Sequence, residues 1–217
     1  MLTKWNTWSA IEQTGALLIV RLPSAEEALS VARAAIEGGV RALEITLSVP
    51  DSLDVIRQLS REYAGDGIAV GAGTVLDAQS AFACVQSGAQ LLVSPNLNPE
   101  MLQVANRYQV LSVSGAFTPT EIVDTMEAGA DIVKLFPTTL AGPTYVKTIL
   151  EPLPQTPILP AGGATAANVG DWFEAGVVAV GVGSSITKAA RVDGDYTRVT
   201  AAAREFLAAI AQARTTE

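Results

Sequence analysis

Apolar positions along the chain fall into two alternating patterns. One is a short, nearly continuous run rich in β-branched residues, and the other is a longer stretch in which apolar positions recur every three or four residues. The first is how a parallel strand buried on both faces reads, and the second is an amphipathic helix. In chain order the short runs predict strands over residues 16–22, 41–47, 67–75, 90–95, 110–116, 131–137, 157–163 and 177–182. Ser24 caps a helix running to about residue 39, with Glu26 and Glu27 in its first turn. Asp51 and Asp77 cap the next two helices and Asn98 opens another. Thr118-Pro-Thr-Glu has the form of a capping box with proline at the first helical position. Further helices are expected over residues 142–153, 165–176 and about 195–214. Glu-Gly-Gly, Gln-Ser-Gly-Ala, Glu-Ala-Gly-Ala and Glu-Ala-Gly-Val supply glycines that end helices and lead into strands. Eight alternations in 217 residues fit a single (β/α)8 TIM barrel spanning 1–217. An open doubly wound sheet commonly has only about five or six strands. Trp5 and Trp8 are expected on an amphipathic N-terminal cap over the bottom of the barrel, in preference to a subunit contact.

One strand breaks the apolar rule. In Asp-Ile-Val-Lys-Leu-Phe-Pro, residues 131–137, alternation puts Ile132, Lys134 and Phe136 on one face and Val133 and Leu135 on the other. The Lys134 ammonium therefore points inward, where a charge is costly unless it is paired or loses its proton. One reading is a structural ion pair, or an amine close enough to the strand end to reach water. The other is chemical: burial disfavours the charged form of an amine, and a neutral amine attacks a carbonyl to form a Schiff base. Glu44 poses the same question, since in Arg-Ala-Leu-Glu-Ile-Thr-Leu it shares a face with Thr46 while Leu43, Ile45 and Leu47 face the helices. A buried ion pair is a weak explanation as a stabilising device, because apolar replacements often do as well. Imine chemistry, in contrast, needs a carboxylate beside the amine to move protons during carbinolamine formation, dehydration and C–C cleavage.

Composition narrows the partners. A net charge of −8 and the absence of any Lys/Arg cluster argue against nucleic acid and anionic membrane surfaces, leaving a small-molecule ligand. Apolar stretches of about seven or eight residues are too short to span a bilayer, and the N-terminus lacks a signal-peptide pattern, so a cytoplasmic location is expected. Cys84, the only cysteine, reads as a buried helix position. The chain has no histidine, which removes His-based triads, the usual zinc sites and a histidine general base.

In a barrel the chemistry sits at the C-terminal ends of the strands. The unusual polar residues fall there: Arg21, Glu44, Thr46, Thr74, Ser94-Pro95, Lys134 with Phe136, Gly162-Gly163, and Gly183-Ser184-Ser185. Glycine pairs after strands seven and eight are where many barrels hold a phosphate on backbone N–H groups. Lys147 and Lys188 are expected in solvent.

At these residues the chain resembles the 2-keto-3-deoxy-6-phosphogluconate and 4-hydroxy-2-oxoglutarate aldolase family. The resemblance runs from about residue 17 to 186 and rests on Gly-Gly-Val-Arg-Ala-Leu-Glu-Ile-Thr-Leu, Gly-Ala-Gly-Thr-Val-Leu, Val-Ser-Pro-Asn, Phe-Thr-Pro-Thr-Glu, Val-Lys-Leu-Phe-Pro and Pro-Ala-Gly-Gly. It implies Lys134 as the Schiff-base lysine and Glu44 as the proton-transferring acid/base. It also implies Thr74 and Pro95 lining the pyruvyl pocket, Phe136 beside the imine, and Gly162, Gly163 and Ser184 binding phosphate. A homotrimer needing no metal and no other cofactor goes with it. One position departs: Ser48 stands where gluconate-type members carry an arginine, and Arg21 is the candidate replacement. Leu-Ser-Val-Pro, Ser-Pro-Asn-Leu and Phe-Pro-Thr-Thr-Leu-Ala-Gly-Pro-Thr-Tyr-Val-Lys are similar to the galactonate-type branch, which also lacks that arginine.

The leading reading is a Schiff-base aldolase cleaving a 2-keto-3-deoxy-6-phospho sugar acid to pyruvate and glyceraldehyde 3-phosphate. A second keeps the imine but takes 4-hydroxy-2-oxoglutarate, or decarboxylates oxaloacetate. A third is a non-catalytic phosphate-binding barrel in which Lys134 and Glu44 are a mute ion pair.

Overall fold

The computed structural model describes residues 3–190 and 194–215. Eight strands run parallel: β1 Ala16–Val20, β2 Ala42–Thr46, β3 Ala69–Gly73, β4 Leu91–Val93, β5 Leu111–Ala116, β6 Ile132–Leu135, β7 Ile158–Pro160 and β8 Val180–Val182. They are hydrogen-bonded in the order β7-β6-β5-β4-β3-β2-β1-β8. The seam between β7 and β8 is closed by a parallel bridge from Ala161 to Gly181 and by the Val178 N–H donating to the Ile158 carbonyl at 3.0 Å. Among the described residues, ten α-helices surround or cap the barrel: α1 Thr3–Thr14, α2 Ala25–Glu37, α3 Ser52–Glu62, α4 Ala78–Gln86, α5 Pro99–Tyr108, α6 Pro119–Glu127, α7 Pro143–Leu150, α8 Val169–Glu174, α9 Ser184–Thr187 and α10 Thr197–Arg214. The (β/α)8 barrel read from the apolar pattern is the fold that forms. No described helix is long and apolar enough to cross a membrane.

Alternation along the strands sorts the core into two layers. Leu17, Ala42, Ala69, Leu91, Val93, Leu111, Val113, Ile132, Leu159 and Ala179 face inward and pack as one cluster, which α1 closes from below with Ala10, Ile11 and the half-buried Trp8. Their sequence neighbours, among them Leu18, Leu43, Ile45, Val70, Leu92, Val133, Leu135 and Ile158, face outward into the larger cluster under the helices. Burying such a side chain contributes about 1.5–3 kcal/mol, so a one-residue slip in register would forfeit both layers at once.

Capping signals set the helix starts. Ser24, Asp77 and Asn98 each accept a backbone N–H from the third residue on, and Thr118 with Glu121 forms a reciprocal box. Asp51 departs from expectation: it occupies the cap position of α3 at φ 53° and its side chain makes no cap hydrogen bond. In that left-handed conformation the carboxylate no longer reaches over the first turn. Trp5 also departs. It is 63% exposed, so the cap contributes Trp8, but not Trp5, to the barrel bottom. Several strands are shorter than the apolar runs that encode them, because the run continues into buried loop where pairing has ended; β8 begins at Val180, although Val178 already bonds across the seam. Likewise α8 begins at Val169, not 165, because Asn168 binds back to the preceding loop.

Candidate active site

Lys134 occupies the third position of β6, paired beside Gly115 of β5 and Leu159 of β7. Glu44 occupies the middle of β2, beside Ile19 of β1 and Gly71 of β3. Both face inward. Ninety residues apart in sequence, their side chains meet at 3.4 Å, Nζ donating to Glu44 Oε1. Glu44 is fully buried and Lys134 is 6% exposed. Glu44 Oε2 has no hydrogen-bond partner, a cost that a purely structural pair would have no reason to carry. Strand β3 makes the room for this carboxylate. A Cβ on Gly73 would lie 2.7 Å from Glu44 Cδ, inside the closest approach of real side chains.

Above the pair opens a cavity of about 630 Å³ at the C-terminal ends of the strands. Arg21, Thr74, Pro95, Lys134, Phe136, Gly162, Gly163 and Ser184 all line it; Glu44 lies beneath the lining. Each is placed by a local device. Thr74 has φ 60°, rare for a β-branched residue; the strain is of order 1–3 kcal/mol. It breaks the strand alternation that would otherwise send this side chain toward the helices, as it does Ala72. Pro95 crosses directly over Gly115, where a Cβ would come within 2.1 Å of the Pro95 backbone. Ser94 Oγ holds the turn by donating to the Asn96 carbonyl at 2.7 Å. The Phe136 ring stands beside the amine, its centroid 5.8 Å from Nζ.

Gly162 and Gly163 have φ of 116° and 83°, conformations that favour glycine. Their carbonyls are tied back: Thr138 Oγ donates to Gly162 O at 2.7 Å, and Asn168 Nδ2 donates to Gly163 O at 2.9 Å. Neither Thr138 nor Asn168 lines the cavity. In a trans peptide the C=O and the following N–H point opposite ways, so these two anchors turn the N–H groups of Gly163 and Ala164 toward the cavity. Those two N–H groups engage no backbone acceptor among the described residues. With the first turn of α9 at Ser184 they make up one wall of the cavity, rich in backbone donors.

The cavity is cationic on a molecule of net charge −8. Arg21, Lys134 and Lys188 line it, against the single carboxylate of Glu44 below. Ser48 lies outside it, with its hydroxyl 2.9 Å from that of Thr46. Lys147 is exposed and paired with Glu174 at 2.8 Å, as a solvent-side lysine should be. Lys188 is exposed too, but it stands on the cavity wall, not in open solvent. Ser185, read with Ser184 at the end of the eighth strand, lines the cavity as well, whereas sequence reasoning missed Thr165, Thr187 and the anchors Thr138 and Asn168. The available signal was spacing: Lys188 lies one helical turn beyond Ser184. Cys84, buried under α4, has its thiol pushed up to about 12 by desolvation and is chemically quiet. Among the described residues, no group of three His, Cys, Asp or Glu could hold a metal ion.

A buried lysine and carboxylate beneath a cavity at the top of a parallel barrel define the class of lysine-dependent, class I aldolases, which are lyases. The chain belongs to the KDPG and KHG aldolase family, whose sequence model matches residues 9–202. It is 35% identical over 174 residues to the 2-dehydro-3-deoxy-6-phosphogalactonate aldolase of Escherichia coli (strain K12), covering 80% of this chain and 84% of that one. It is 33% identical over 205 residues to the KHG/KDPG aldolase of the same organism, covering 93% and 95%. A solved structure described as native KDPGal superposes with a TM-score of 0.85 at 33% identity, covering 92% of this chain and 96% of that one. A second, at 0.85 and 32%, belongs to a cage designed by fusing symmetric oligomeric domains, covering 93% of this chain and 73% of that one.

Proposed function

We propose that the chain cleaves a six-carbon 2-keto-3-deoxy-6-phospho sugar acid, reversibly, to pyruvate and glyceraldehyde 3-phosphate, with Lys134 as the Schiff-base residue. The observation that carries this reading is the Lys134–Glu44 pair, 3.4 Å apart at the floor of a cavity whose far wall presents free backbone amides.

The amine of Lys134 attacks C2 of the keto acid, and loss of water from the carbinolamine gives a protonated imine. Glu44 takes the proton of the C4 hydroxyl, directly or through a water, as the C3–C4 bond breaks. The bonding pair moves into the imine, which becomes an enamine, and the aldehyde leaves. Protonation of the enamine at C3 and addition of water at C2 release pyruvate and return the lysine. Glu44, with one oxygen on the amine and the other unpartnered, is placed to move these protons. The amides at Gly162, Gly163 and Ser184 hold the phosphate, and this remote binding orients the reacting bond. Thr74, Pro95 and Phe136 enclose the pyruvyl portion. Arg21, which lines the cavity where Ser48 does not, takes the substrate carboxylate.

The similarity to a phosphogalactonate aldolase, together with the absence of an arginine at Ser48, favours the galactonate epimer at C4. Assays on both phosphorylated epimers and on 4-hydroxy-2-oxoglutarate test the assignment. A large loss of kcat/KM without the phosphate supports it, and equal turnover of the unphosphorylated acid overturns it. Two further parts of this reading are a homotrimer, supported by the similar chain used as a symmetric oligomeric domain, and a cytoplasmic location, consistent with one buried, reduced cysteine. Light scattering on the purified chain checks the first.

A further inference from the structure

We propose that Lys188 binds the phosphate end of the substrate and sets the preference for phosphorylated over unphosphorylated keto acids, an inference that rests on the substrate reading above. Lys188 follows α9 directly, and its N–H donates to the Ser184 carbonyl at 3.3 Å. It therefore stands one turn beyond Ser184 on the same side of the helix. Helical side chains lean toward the N-terminus, which carries the Lys188 stem back over the turn that holds Ser184. Both residues line the cavity, as do Ser185, Thr165 and the glycine loop. Ser185 Oγ donates to the Ala164 carbonyl at 3.4 Å, tying α9 to the glycine loop so that the lysine and the amides belong to one wall.

The charge balance favours a cation there. Backbone amides and hydroxyls orient a phosphate, but they do not offset its charge of about −1.5 to −2 at neutral pH. Lys134 is paired with Glu44 and becomes the imine nitrogen, so it cannot also neutralise the phosphate. Arg21 extends from the end of β1 and is assigned to the carboxylate. Lys188 remains. Lys4, Arg33, Arg57 and Lys147 are each paired with a carboxylate; Lys188, like Arg61 and Arg107, has no ion-pair partner among the described residues, and of these three only Lys188 lines the cavity. A lysine at the mouth also offsets the repulsion that a dianion meets on approaching a chain of net charge −8. A lysine ending a one-turn helix could simply complement the helix dipole, and the two roles differ in what they predict.

The test is Lys188→Met in the full-length enzyme, with Lys188→Arg beside it. For the phosphorylated substrate kcat/KM is expected to fall roughly tenfold, mostly through KM, as suits a charge-assisted contact open to solvent. Turnover of 4-hydroxy-2-oxoglutarate and borohydride trapping of pyruvate should stay at the wild-type level. Inhibition by inorganic phosphate should weaken in parallel, and the arginine variant should recover most of the loss. An equal loss on both substrates, or no loss on either, overturns the proposal. A wild-type enzyme indifferent to the phosphate fails in a different place: it overturns the substrate reading itself, before any variant is compared.

Discussion

The lower and upper halves of the barrel interior are built by the same eight strands and obey opposite rules. Below, Leu17, Leu91, Leu111, Ile132 and Leu159 interlock with Ala42, Ala69 and Ala179, and α1 seals the end. Above, the inward positions include Glu44, Lys134, Ile19 and glycines at 71, 73, 115 and 181, and the interior opens into the cavity. The lower half fills space and excludes water. In the upper half, removing side chains lets a carboxylate and an amine meet and leaves volume for a ligand. Stability and chemistry are thus stacked along one axis, so substitutions a few ångströms apart should have separable effects.

The largest effect is expected at Lys134. Lys134→Ala should lower kcat by roughly four orders of magnitude or more and eliminate the borohydride-trapped pyruvate adduct, as seen by intact mass. Full turnover in that variant would sink the imine mechanism. Gly73→Ala probes the same half indirectly. Its Cβ would displace the Glu44 carboxylate, so kcat should fall roughly ten- to a hundredfold with little change in KM, while Lys134 still forms the trapped adduct. A proportional loss in the final extent of trapping, and not only in its rate, would instead mean that the strand itself had shifted. In the lower half, Leu91→Ala removes a fully buried side chain and should cost about 2–5 kcal/mol in urea unfolding, with kcat per folded molecule unchanged. A fall in kcat comparable to that of the Gly73 variant would erase the distinction between the halves.

The smallest effect lies outside the barrel, at the start of α6. Glu121 accepts the N–H groups of Thr118 and Phe117 at 2.8 and 2.9 Å, which hold its carboxyl below the usual range. A carboxylate lowered on folding contributes stability that is fully present above its unfolded pKa, ~4.3, and is lost as pH falls through the lower folded value. Glu121→Gln should therefore cost about 1 kcal/mol or less at neutral pH and give a shallower decline in stability below about pH 4. An acid profile identical to that of wild type would show that the box carries no charge-dependent stability.

The two halves were not equally legible in the sequence. The lower half, the outer layer and the helix starts at Ser24, Asp77, Asn98 and Thr118 follow from periodicity and capping chemistry, which are local. Lys134 and Glu44 also announced themselves, because a charged residue at an inward strand position contradicts its own neighbours. Asp51 misled because cap identity was visible but backbone conformation was not. Trp5 misled because an aromatic residue near a helix start does not reveal which way the helix will turn. Lys188 gave no signal of its own: on a short segment between a strand and a loop, its surroundings depend on where that segment packs.

What this sequence determined by itself is the alternation of eight strands and helices, the inward placement of one amine and one carboxylate, and the glycines at the strand ends. All of these are fixed by the two-residue and 3.6-residue periods of the backbone. The tertiary structure decided that residues 44 and 134 meet at 3.4 Å, that Gly73 clears the space for their meeting, and that Arg21 and Lys188 border one cavity while Ser48 does not. Those are distances between strands and loops far apart in the chain, and they come into being only when the sheet closes on itself.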